Sequence, residues 1–386
     1  MSLTRCFNID DLRRMARRRL PGPIFHYLDG GADDEWTLRR NRSAFADYEF
    51  LPDVLTDVSN VRTSGRLFGQ DIAWPLMLSP TGLTRMFHEG AELAVARAAE
   101  AEGLIYALST AGTTTIEQIG RTITTPKLFQ LYIFKDRGLT SELVRRAKDA
   151  GYAALALTAD TPVTGNRERD RMSGLSLPPR LTWKSILGFA LHPRWSLGAL
   201  AGAKFDLVNM RHRVDLLAMG RKLSAYDGQL DQSLTWDDVE FLAKAWDGPL
   251  AVKGLMTPAQ AVQARESGAT AVMISNHGGR QLDGAPAPID QIAAMRDKVG
   301  SSLEIICDGG VRRGSDIVKA IARGADACSI GKSYLYGLAA GGEAGVRRAL
   351  TILREEFLRT MMLAGINDVA RIEARHVRHL GPPSRH

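Results

Sequence analysis

A short apolar strand that runs into a polar or glycine-containing loop recurs along this chain, with amphipathic helical segments between the copies. The residues before two of these strands are close repeats, Gly268-Ala269-Thr270-Ala271 and Gly324-Ala325-Asp326-Ala327. The eight apolar strands cover residues 76–78, 104–108, 128–131, 153–157, 250–252, 271–274, 305–306 and 328–330. Because alternating strands and helices build a parallel sheet, eight of them predict an α/β fold, the closed (β/α)8 TIM barrel.

The residues that directly follow each strand support the barrel prediction. Barrel enzymes collect their chemistry at the carboxyl ends of the strands. Polar or glycine residues follow every predicted strand, at 79–82, 109–110, 130–132, 158–160, 253–254, 275–277, 308–310 and 331–332. We therefore expect an active site where these ends meet.

The chain is predicted to be a single domain, residues 1–386, with two additions to the barrel. Residues 1–65 are interpreted as a helical cap over the barrel floor and mouth. Residues 161–233, between the fourth strand and its helix, are too long for an ordinary loop and are expected to be functional or mobile. A helix is predicted over 344–363, followed by a tail that frays.

Composition indicates a folded soluble protein, with 45% apolar and 24% charged residues. The three cysteines form no C-x-x-C pair, and Cys307 and Cys328 lie in apolar runs, which favours buried thiols in a reducing compartment. No run reaches about 18 apolar residues, and the N-terminus lacks a signal-peptide pattern. A location in the cytoplasm, or on the cytoplasmic side of the inner membrane, is expected, and no metal site is predicted.

Residues 178–222 carry most of the net charge of +7, since they hold eight lysine and arginine residues against two aspartates. Bulky apolar side chains lie among these charges at Trp183, Ile186, Leu187, Phe189 and Trp195. Basic residues attract any phosphate, but interleaved apolar side chains favour an anionic lipid surface over nucleic acid. The alternative, a solvated insertion that packs on a neighbouring subunit, is equally compatible with this pattern.

The nonapeptide Ser275-Asn276-His277-Gly278-Gly279-Arg280-Gln281-Leu282-Asp283 follows the sixth strand. It places an imidazole three residues before a guanidinium, with two glycines between them that let a ligand approach the backbone. Oxidation of a hydroxy acid needs such a pair: a base that accepts a proton, and a guanidinium that binds the carboxylate through two parallel hydrogen bonds. The alternative is a polar turn whose histidine bonds a carbonyl, but a simple turn needs neither group.

Two glycine-rich turns follow the seventh and eighth strands, at 308–314 and at Gly331-Lys332. Phosphate sites of barrel enzymes lie after these strands, where backbone N–H groups and a cation such as Arg312 or Lys332 hold the dianion. The chain has no G-x-G-x-x-G after its first strand and no P-loop, so a Rossmann dinucleotide or ATP is disfavoured.

Lys253 ends an apolar strand, where a buried ammonium must pair with an anion or lose its proton. Schiff-base chemistry, stabilisation of negative charge on a cofactor, and a lysine that reaches solvent at the rim are the three interpretations. Asp160 is interpreted as a carboxylate that orients His277 and stabilises its protonated form. The alternative for Asp160 is a turn cap before Pro162.

At these residues the chain resembles the FMN-dependent L-2-hydroxy-acid oxidase and dehydrogenase family, which includes glycolate oxidase, L-lactate dehydrogenase and mandelate dehydrogenase. The resemblance runs from about Phe25 to Gly365. It is carried by 25–31 with Tyr27, 79–83, 129–132, 157–162, 252–254, 275–283, 308–314 and 330–331. Eight ordered blocks on one fold make the match specific.

The resemblance implies an FMN across the barrel mouth. Thr81 and Gly82 would face it through the backbone, and Ser109, Gln130 and Thr158 would bond the edge of its ring system. Lys253 would stabilise the reduced, anionic form. The ribityl chain and phosphate would be held by Ser275, Asp308, Gly310, Arg312, Gly331 and Lys332. Lys332 stands where the family usually has arginine, so the charge is kept and the bidentate fork is lost.

By the same resemblance, the substrate carboxylate would bind Arg280, Arg167, Tyr27 and Tyr132, while His277, assisted by Asp160, takes a proton. Removal of the hydroxyl proton with hydride transfer and removal of the C2 proton to a carbanion both need these residues. Ala111 stands where glycolate oxidase has tryptophan, which opens the pocket toward lactate or larger side chains.

Gly82 stands where oxidases of the family tend to have alanine and dehydrogenases glycine. Together with the likeness of 178–222 to the membrane-associated bacterial dehydrogenases, this favours a peripheral dehydrogenase of lactate or mandelate that passes electrons to a membrane quinone. A tetramer is implied by resemblance. The alternatives are a soluble oxidase that makes hydrogen peroxide, another FMN or IMP-dehydrogenase-like barrel, and a basic protein that binds nucleic acid or lipid.

Overall fold

Parallel strands close into a barrel in the computed structural model, which describes residues 2–174, 189–201, 206–210 and 228–381. Within these ranges the strands are, in chain order, β1 (Tyr48–Phe50), β2 (Gly65–Leu67), β3 (Gln70–Ile72), β4 (Leu76–Thr81), β5 (Ile105–Ser109), β6 (Lys127–Leu131), β7 (Ala154–Thr158), β8 (Leu250–Leu255), β9 (Ala271–Ser275), β10 (Glu304–Asp308), β11 (Ala327–Ile330) and β12 (Val377–His379).

The α-helices of the same ranges surround the barrel or cover its ends. They are α1 (Ile9–Arg19), α2 (Gly22–Asp29), α3 (Trp36–Ser43), α4 (Ala91–Ala101), α5 (Ile116–Thr122), α6 (Arg137–Asp149), α7 (Glu168–Met172), α8 (Pro193–Ala201), α9 (Trp236–Trp246), α10 (Pro258–Glu266), α11 (Pro288–Val299), α12 (Gly314–Ala322) and α13 (Lys332–Leu363).

The eight strands β4 to β11 pair in parallel in chain order, and β11 closes the ring on β4. The (β/α)8 barrel predicted from the alternating pattern is therefore confirmed. The register between β8 and β9 shifts between Lys253 and Leu255, so the chain bulges at Gly254. This bulge lies at the carboxyl end of the barrel, where it changes the direction of the strand beside the cavity described below.

The interior of the barrel is filled by apolar side chains such as Met77, Ile105, Leu128, Met273 and Ile306, all of them fully buried. The hairpin of β2 and β3 closes the floor by adding Leu67, Phe68 and Ile72 to this cluster. The carboxylate of Glu304 fixes the hairpin by accepting the Phe68 N–H. The floor is thus covered by residues 65–72, which begin at the last residue of the segment 1–65 that was predicted to cover it.

The N-terminal helices reach the mouth of the barrel. α1 packs along α13, and α2 brings Tyr27 to the mouth. Asp29, the last residue of α2, is buried and accepts hydrogen bonds from Arg13 Nε at 2.5 Å and Tyr336 Oη at 2.7 Å. These charge-assisted bonds fix the end of α2 against both α1 and α13.

The C-terminal region differs from the prediction in two ways. α13 begins at Lys332, and Gly341 and Gly342 interrupt it, Gly342 with φ of +60°, so the predicted helix over 344–363 is its second part. Part of the tail predicted to fray is instead a strand, because β12 pairs antiparallel with β1 through Tyr48↔His379 and Phe50↔Val377. Residues 382–386 of that tail lie outside the described residues.

The described parts of the 161–233 insertion pack on the loops of the barrel mouth. Trp195 Nε1 donates to Met86 O at 2.8 Å, and the Asn209 amide bonds Ile116 N at 3.0 Å and Thr114 O at 3.1 Å. Many of the predicted membrane-binding side chains lie outside the described residues, namely Arg180, Trp183, Lys184, Ile186, Leu187, Lys204, Arg211, Arg213, Arg221 and Lys222. Among the described helices, we find none whose length and hydropathy together would suffice for a membrane span.

Candidate active site

A cavity of about 540 Å³ opens where the carboxyl ends of the barrel strands meet. Most of the site residues predicted from the sequence line it, namely Tyr27, Thr81, Gly82, Ser109, Ala111, Tyr132, Arg167, Lys253, His277, Arg280, Asp308, Gly310, Arg312, Gly331 and Lys332. The remaining four are Gln130, Thr158, Asp160 and Ser275. Gln130, Asp160 and Ser275 each bond a residue of the wall, and Thr158 bonds Gln130, so the structure brings the whole predicted set together.

His277 and Asp160 form a hydrogen-bonded pair at one side of the cavity. His277 Nδ1 lies 3.0 Å from Asp160 Oδ1, and the two residues follow strands β9 and β7. The His277 backbone has φ of +58°, a conformation uncommon for a residue with a side chain, and its N–H donates to Ser275 Oγ at 3.0 Å. The bond to Nδ1 directs the opposite nitrogen, Nε2, away from Asp160.

Burial lowers the pKa of His277 below its ordinary value, and the neighbouring Asp160 opposes that shift. Burial alone would raise the pKa of Asp160, but the charges of His277 and Lys253 hold it below its usual range. The pair at neutral pH is therefore a carboxylate beside a neutral imidazole, which is the state that a general base requires. Asp160 Oδ2 is buried without a hydrogen-bond partner among the described residues.

Arg280 and Arg167 meet at the ring of Tyr27. The guanidinium carbons lie 4.8 Å and 5.5 Å from the ring centroid, respectively. Arg280 Nη1 also donates to Tyr27 O at 2.6 Å and to Gly30 O at 3.2 Å. Burial and the charge of Arg167 lower the pKa of Arg280, so this pair of cations in the cavity wall favours an anionic ligand.

Lys253 is buried in a chain of polar groups that crosses the top of the barrel. Its Nζ lies 3.3 Å from Asp308 Oδ2 and 3.0 Å from Ser275 Oγ, and Ser79 Oγ donates to the other oxygen of Asp308 at 2.6 Å. Burial opposes the charge of Lys253, but Asp308 and Asp160 outweigh it and raise its pKa. The residue is therefore a fixed positive charge, which disagrees with the Schiff-base and solvent-rim interpretations.

A second polar chain lies beside Lys253. Ser109 Oγ donates to Gln130 Oε1 at 2.7 Å, and Gln130 Nε2 donates to Thr158 Oγ1 at 2.9 Å. Ser109 and Thr158 end the strands β5 and β7, and Gln130 is the last residue but one of the strand between them, β6. They present hydroxyl and amide groups that suit a polar heterocycle edge.

The far end of the cavity carries cations that are paired with neutral groups. Arg312 Nη1 donates to Ser333 Oγ at 2.8 Å, and Lys332 Nζ donates to Gly30 O at 2.9 Å and Asp29 O at 3.2 Å. Burial, together with Arg280 and Arg312, holds the pKa of Lys332 well below its usual range. Neither cation forms a salt bridge with a carboxylate of the described residues, although Asp29 and Glu35 are near enough to favour the charge of Lys332. This end of the cavity therefore fits a phosphate dianion.

The glycines of this end make close backbone packing possible. A Cβ atom on Gly310, whose φ is +83°, would lie 1.9 Å from Asn41 O. Asn41 was missed by the sequence analysis, although its amide exchanges two hydrogen bonds of 2.7 Å with Asn276 and so anchors the loop after β9. An Asn-to-Asn pair between distant segments leaves no local pattern that could predict it.

An apolar part of the cavity wall was also missed. Phe87, Leu207 and Leu230 line the cavity together with Ala111. Leu207 and Leu230 belong to the insertion after β7, where no periodicity indicates which side chains face inward. A Cβ atom on Gly82 would lie 3.0 Å from Ala111 Cβ, so these two predicted positions are direct neighbours.

Comparisons of sequence agree with this geometry. A sequence model of the family described as FMN-dependent dehydrogenase matches residues 16–379. A putative L-lactate dehydrogenase of Mycobacterium tuberculosis is 42% identical over 380 residues, which are 97% of this chain and 90% of that protein. An L-lactate dehydrogenase of Xanthomonas euvesicatoria pv. vesicatoria is 40% identical over 366 residues, which are 94% of each.

Two solved structures are similar over almost the whole chain. The monotopic membrane protein (S)-mandelate dehydrogenase matches with a TM-score of 0.93 and 37% identity, over 97% of this chain and 100% of that one. A soluble mutant of the membrane-associated (S)-mandelate dehydrogenase from Pseudomonas putida matches with a TM-score of 0.83 and 35% identity, over 97% and 99%. The family model spans nearly all of the chain, and relatives of 40% identity or more cover it, so this protein belongs to the FMN-dependent dehydrogenase family, with FMN as its cofactor.

Proposed function

We propose that this FMN enzyme oxidises an L-2-hydroxy acid to the 2-oxo acid, with lactate and mandelate as the leading substrates. The observation that carries the proposal is that one cavity holds a base, His277 paired with Asp160, and a carboxylate-binding cation, Arg280. A hydroxy acid presents the two groups that these residues need, a proton to remove and a carboxylate to bind. The named relatives oxidise acids of this class according to their names.

The residues of the cavity fit FMN. Arg312, Lys332 and the glycines at 310 and 331 would hold the phosphate, and Asp308 and Ser275 the ribityl hydroxyls. Ser109, Gln130, Thr158 and the backbone at Thr81 and Gly82 would contact the ring system, next to the fixed charge of Lys253. When bound, FMN supplies the acceptor for two electrons from the substrate.

The protein's own groups bind the substrate and move a proton. Arg280, Arg167 and Tyr27 would hold the carboxylate, since the two guanidinium groups already flank the Tyr27 ring. Tyr132 would complete this site, because its phenol keeps its proton: burial and the nearby Asp160 raise its pKa. His277 accepts the proton, and the carboxylate of Asp160 stabilises the imidazolium that results.

Ala111 and its apolar neighbours support a substrate larger than glycolate. Phe87, Leu207 and Leu230 complete an apolar wall that suits a methyl or phenyl substituent better than a hydrogen atom. Both lactate and mandelate would fit this wall. Mandelate is favoured, because its phenyl group would cover more of the apolar surface than the methyl group of lactate does.

For the electron acceptor we propose a membrane quinone rather than oxygen. Gly82 is the position at which, by the resemblance described above, dehydrogenases of the family differ from oxidases. An exposed hydrophobic surface in the insertion after β7 also supports a membrane acceptor: Leu191 is 69% exposed and Leu197 65% exposed, beside the exposed Arg194. We propose that this surface rests on anionic lipid at the cytoplasmic side of the inner membrane, and that the enzyme is a tetramer.

The test of the reaction is the visible spectrum of the FMN-loaded protein under anaerobic conditions, before and after L-lactate and then L-mandelate. Bleaching by either acid supports the proposal, and an oxidised flavin with both contradicts the substrate choice. His277→Gln should keep its flavin and lose about 10²- to 10⁴-fold in the rate of bleaching, since a general base is removed. Stoichiometric hydrogen peroxide during aerobic turnover would select the oxidase alternative.

The lipid surface is tested by sedimentation with vesicles that contain anionic phospholipid. We expect the double variant Leu191→Ser, Leu197→Ser to bind vesicles less than the wild type does, because it removes apolar area that lipid would bury. Leu363→Ser, at a leucine that is 73% exposed on a different element, is the matched control. Equal binding by both variants, or no binding by the wild type, contradicts the membrane proposal.

A further inference from the structure

The side chain of Gln281 joins two loops of the active site. Its Oε1 accepts the Gly165 N–H at 3.0 Å, and its Nε2 donates to Asp160 O at 2.9 Å and to Val163 O at 2.8 Å. Gln281 follows Arg280 in the loop after β9, whereas the three partners belong to the loop after β7. One amide therefore uses its acceptor and both of its donor hydrogens on the same neighbouring loop.

The loop that Gln281 holds has little packing of its own. Pro162, Val163 and Thr164 are exposed, so this stretch buries few side chains. Residues of the active site lie at both ends of the stretch, Asp160 before it and Arg167 after it. The position of both therefore depends on the backbone bonds that the loop makes.

The backbones of the two loops are also in direct contact at Gly165. A Cβ atom on Gly165 would lie 2.3 Å from Arg280 O and 2.8 Å from Gln281 Cα. The loop after β7 therefore approaches the backbone of the very residues that follow His277. Because the two backbones are so close, the Gln281 side chain can reach three backbone groups of the neighbouring loop at once.

We propose that Gln281 is a positioning residue that holds Asp160 against His277 and Arg167 beside Arg280. The amide fixes the Asp160 carbonyl at one end of the exposed stretch and the Gly165 N–H at the other. The Gly165 carbonyl in turn accepts the Arg167 N–H at 3.0 Å. The inference rests on the proposed function only in the chemical roles given to these four residues.

A glutamine that merely stabilises a loop would change the unfolding temperature and leave His277 unaltered. A positioning residue would change the electrostatic environment of His277. Three charged groups act on this imidazole: Asp160 favours its protonated form, whereas Lys253 and Arg280 oppose it, as does burial. If the loss of the Gln281 amide lets Asp160 move away, the stabilisation of the imidazolium by the Asp160 carboxylate is weakened. The pKa of His277 should then fall.

The experiment is an NMR titration of isotope-labelled histidine in the FMN-loaded protein, with the His277 signal assigned by its loss in His277→Gln. We expect Gln281→Met to lower the pKa of His277, in the same direction as Asp160→Asn does. In the double variant, Gln281→Met should add little to the effect of Asp160→Asn, because both act through one contact. An unchanged His277 titration in Gln281→Met overturns the proposal, whatever the turnover.

The matched control is Gln260→Met. Gln260 Oε1 accepts the N–H groups of Met256 at 3.0 Å and Thr257 at 3.1 Å, so this variant also removes an amide that ties backbone groups, but outside the cavity. It should lower the unfolding temperature without moving the His277 titration. A shift of the same size in both variants would show a nonspecific effect and contradict the proposal.

Turnover gives a second readout that separates failure of the inference from failure of the proposed function. For a hydroxy acid that reduces the wild type, Gln281→Met should lower kcat/KM by about tenfold to a hundredfold, on the scale that a 1 Å misplacement produces. Absence of wild-type turnover would contradict the proposed function alone, because the His277 titration still decides the positioning of Asp160.

Discussion

Gly254 lies directly against Asp160: a Cβ atom on residue 254 would be 2.6 Å from Asp160 Cβ and 2.7 Å from its Cγ. Gly254 has φ of +105° and occupies the bulge at the end of β8. The carboxylate that pairs with His277 therefore has room only because residue 254 lacks a side chain.

We predict that Gly254→Ala displaces Asp160 and lowers kcat/KM by about a hundredfold, as misplaced catalytic groups do. The backbone strain should also cost about 1–3 kcal/mol in the free energy of unfolding. Gly268→Ala separates the two effects, because Gly268 has φ of +90° but its added Cβ would meet Ala243 Cβ, at 3.0 Å, instead of the site. Equal kcat/KM in the two variants, measured beside urea unfolding, would contradict this account.

The pH dependence of kcat/KM should follow His277. A base must be neutral, and burial lowers the pKa of His277 below its usual 6.5, so activity should persist to a lower pH than an exposed histidine allows and then fall. Asp160 raises the pKa of His277, so Asp160→Asn should move this acid limb to still lower pH. The maximum of kcat/KM should fall as well, because the imidazolium loses its stabilising carboxylate. An acid limb that moves to higher pH in Asp160→Asn would contradict the pairing.

The barrel could be predicted from the sequence because each strand is buried on both faces. Such strands appear as short apolar runs, for example 271–274, and the polar residues that follow them collect at one end of a parallel sheet. His277, Arg280 and Lys253 could be assigned to the site for this reason alone. Local patterns were sufficient because the fold repeats one local unit eight times.

Long-range contacts between short or irregular segments could not be predicted in this way. The pairing of β1 with β12 joins strands of three residues each from opposite ends of the chain, so neither shows an alternation long enough to recognise. The same holds for the hairpin at 65–72 that closes the floor and for the pair of Asn41 with Asn276. Leu207 and Leu230 reach the cavity from the insertion after β7. The composition of this insertion indicates a binding surface for lipid or a subunit, but it does not predict which of its side chains face the cavity.

Lys332 should be important for FMN binding although it lacks the fork of an arginine. Its ammonium is directed into the cavity by the carbonyls of Asp29 and Gly30. Lys332→Met should weaken FMN binding by about tenfold to a hundredfold, since a hydrogen bond to a charged group contributes about 1.5–3 kcal/mol. The dissociation constant is measured by quenching of FMN fluorescence on binding to the dialysed protein.

The matched control is Lys319→Met, because Lys319 Nζ also bonds a carbonyl, Phe45 O at 2.8 Å, but lies outside this cavity. Its variant should bind FMN as the wild type does. Equal dissociation constants for Lys332→Met and Lys319→Met would place the phosphate elsewhere.

Ala111→Trp should change which hydroxy acid is preferred. The backbone at this position is fixed, because Ala111 O accepts the Leu83 N–H at 2.9 Å and Ala111 N donates to Ser109 Oγ at 3.2 Å. An indole at residue 111 therefore has to occupy the cavity that it lines, beside Gly82. We expect kcat/KM for mandelate to fall on the order of 100-fold, the scale of steric discrimination in apolar pockets, while glycolate keeps most of its rate.

The comparison of two substrates on one variant provides its own control. A general loss of folding or of FMN would lower kcat/KM for mandelate and glycolate by the same factor, whereas a filled pocket excludes only the larger acid. Flavin content is read from the visible spectrum before each assay. Equal losses of kcat/KM on both substrates, in a protein that keeps its FMN, would contradict this prediction. The substituent of the substrate would then not approach Ala111, and the apolar wall of Phe87, Leu207 and Leu230 would not be its binding site.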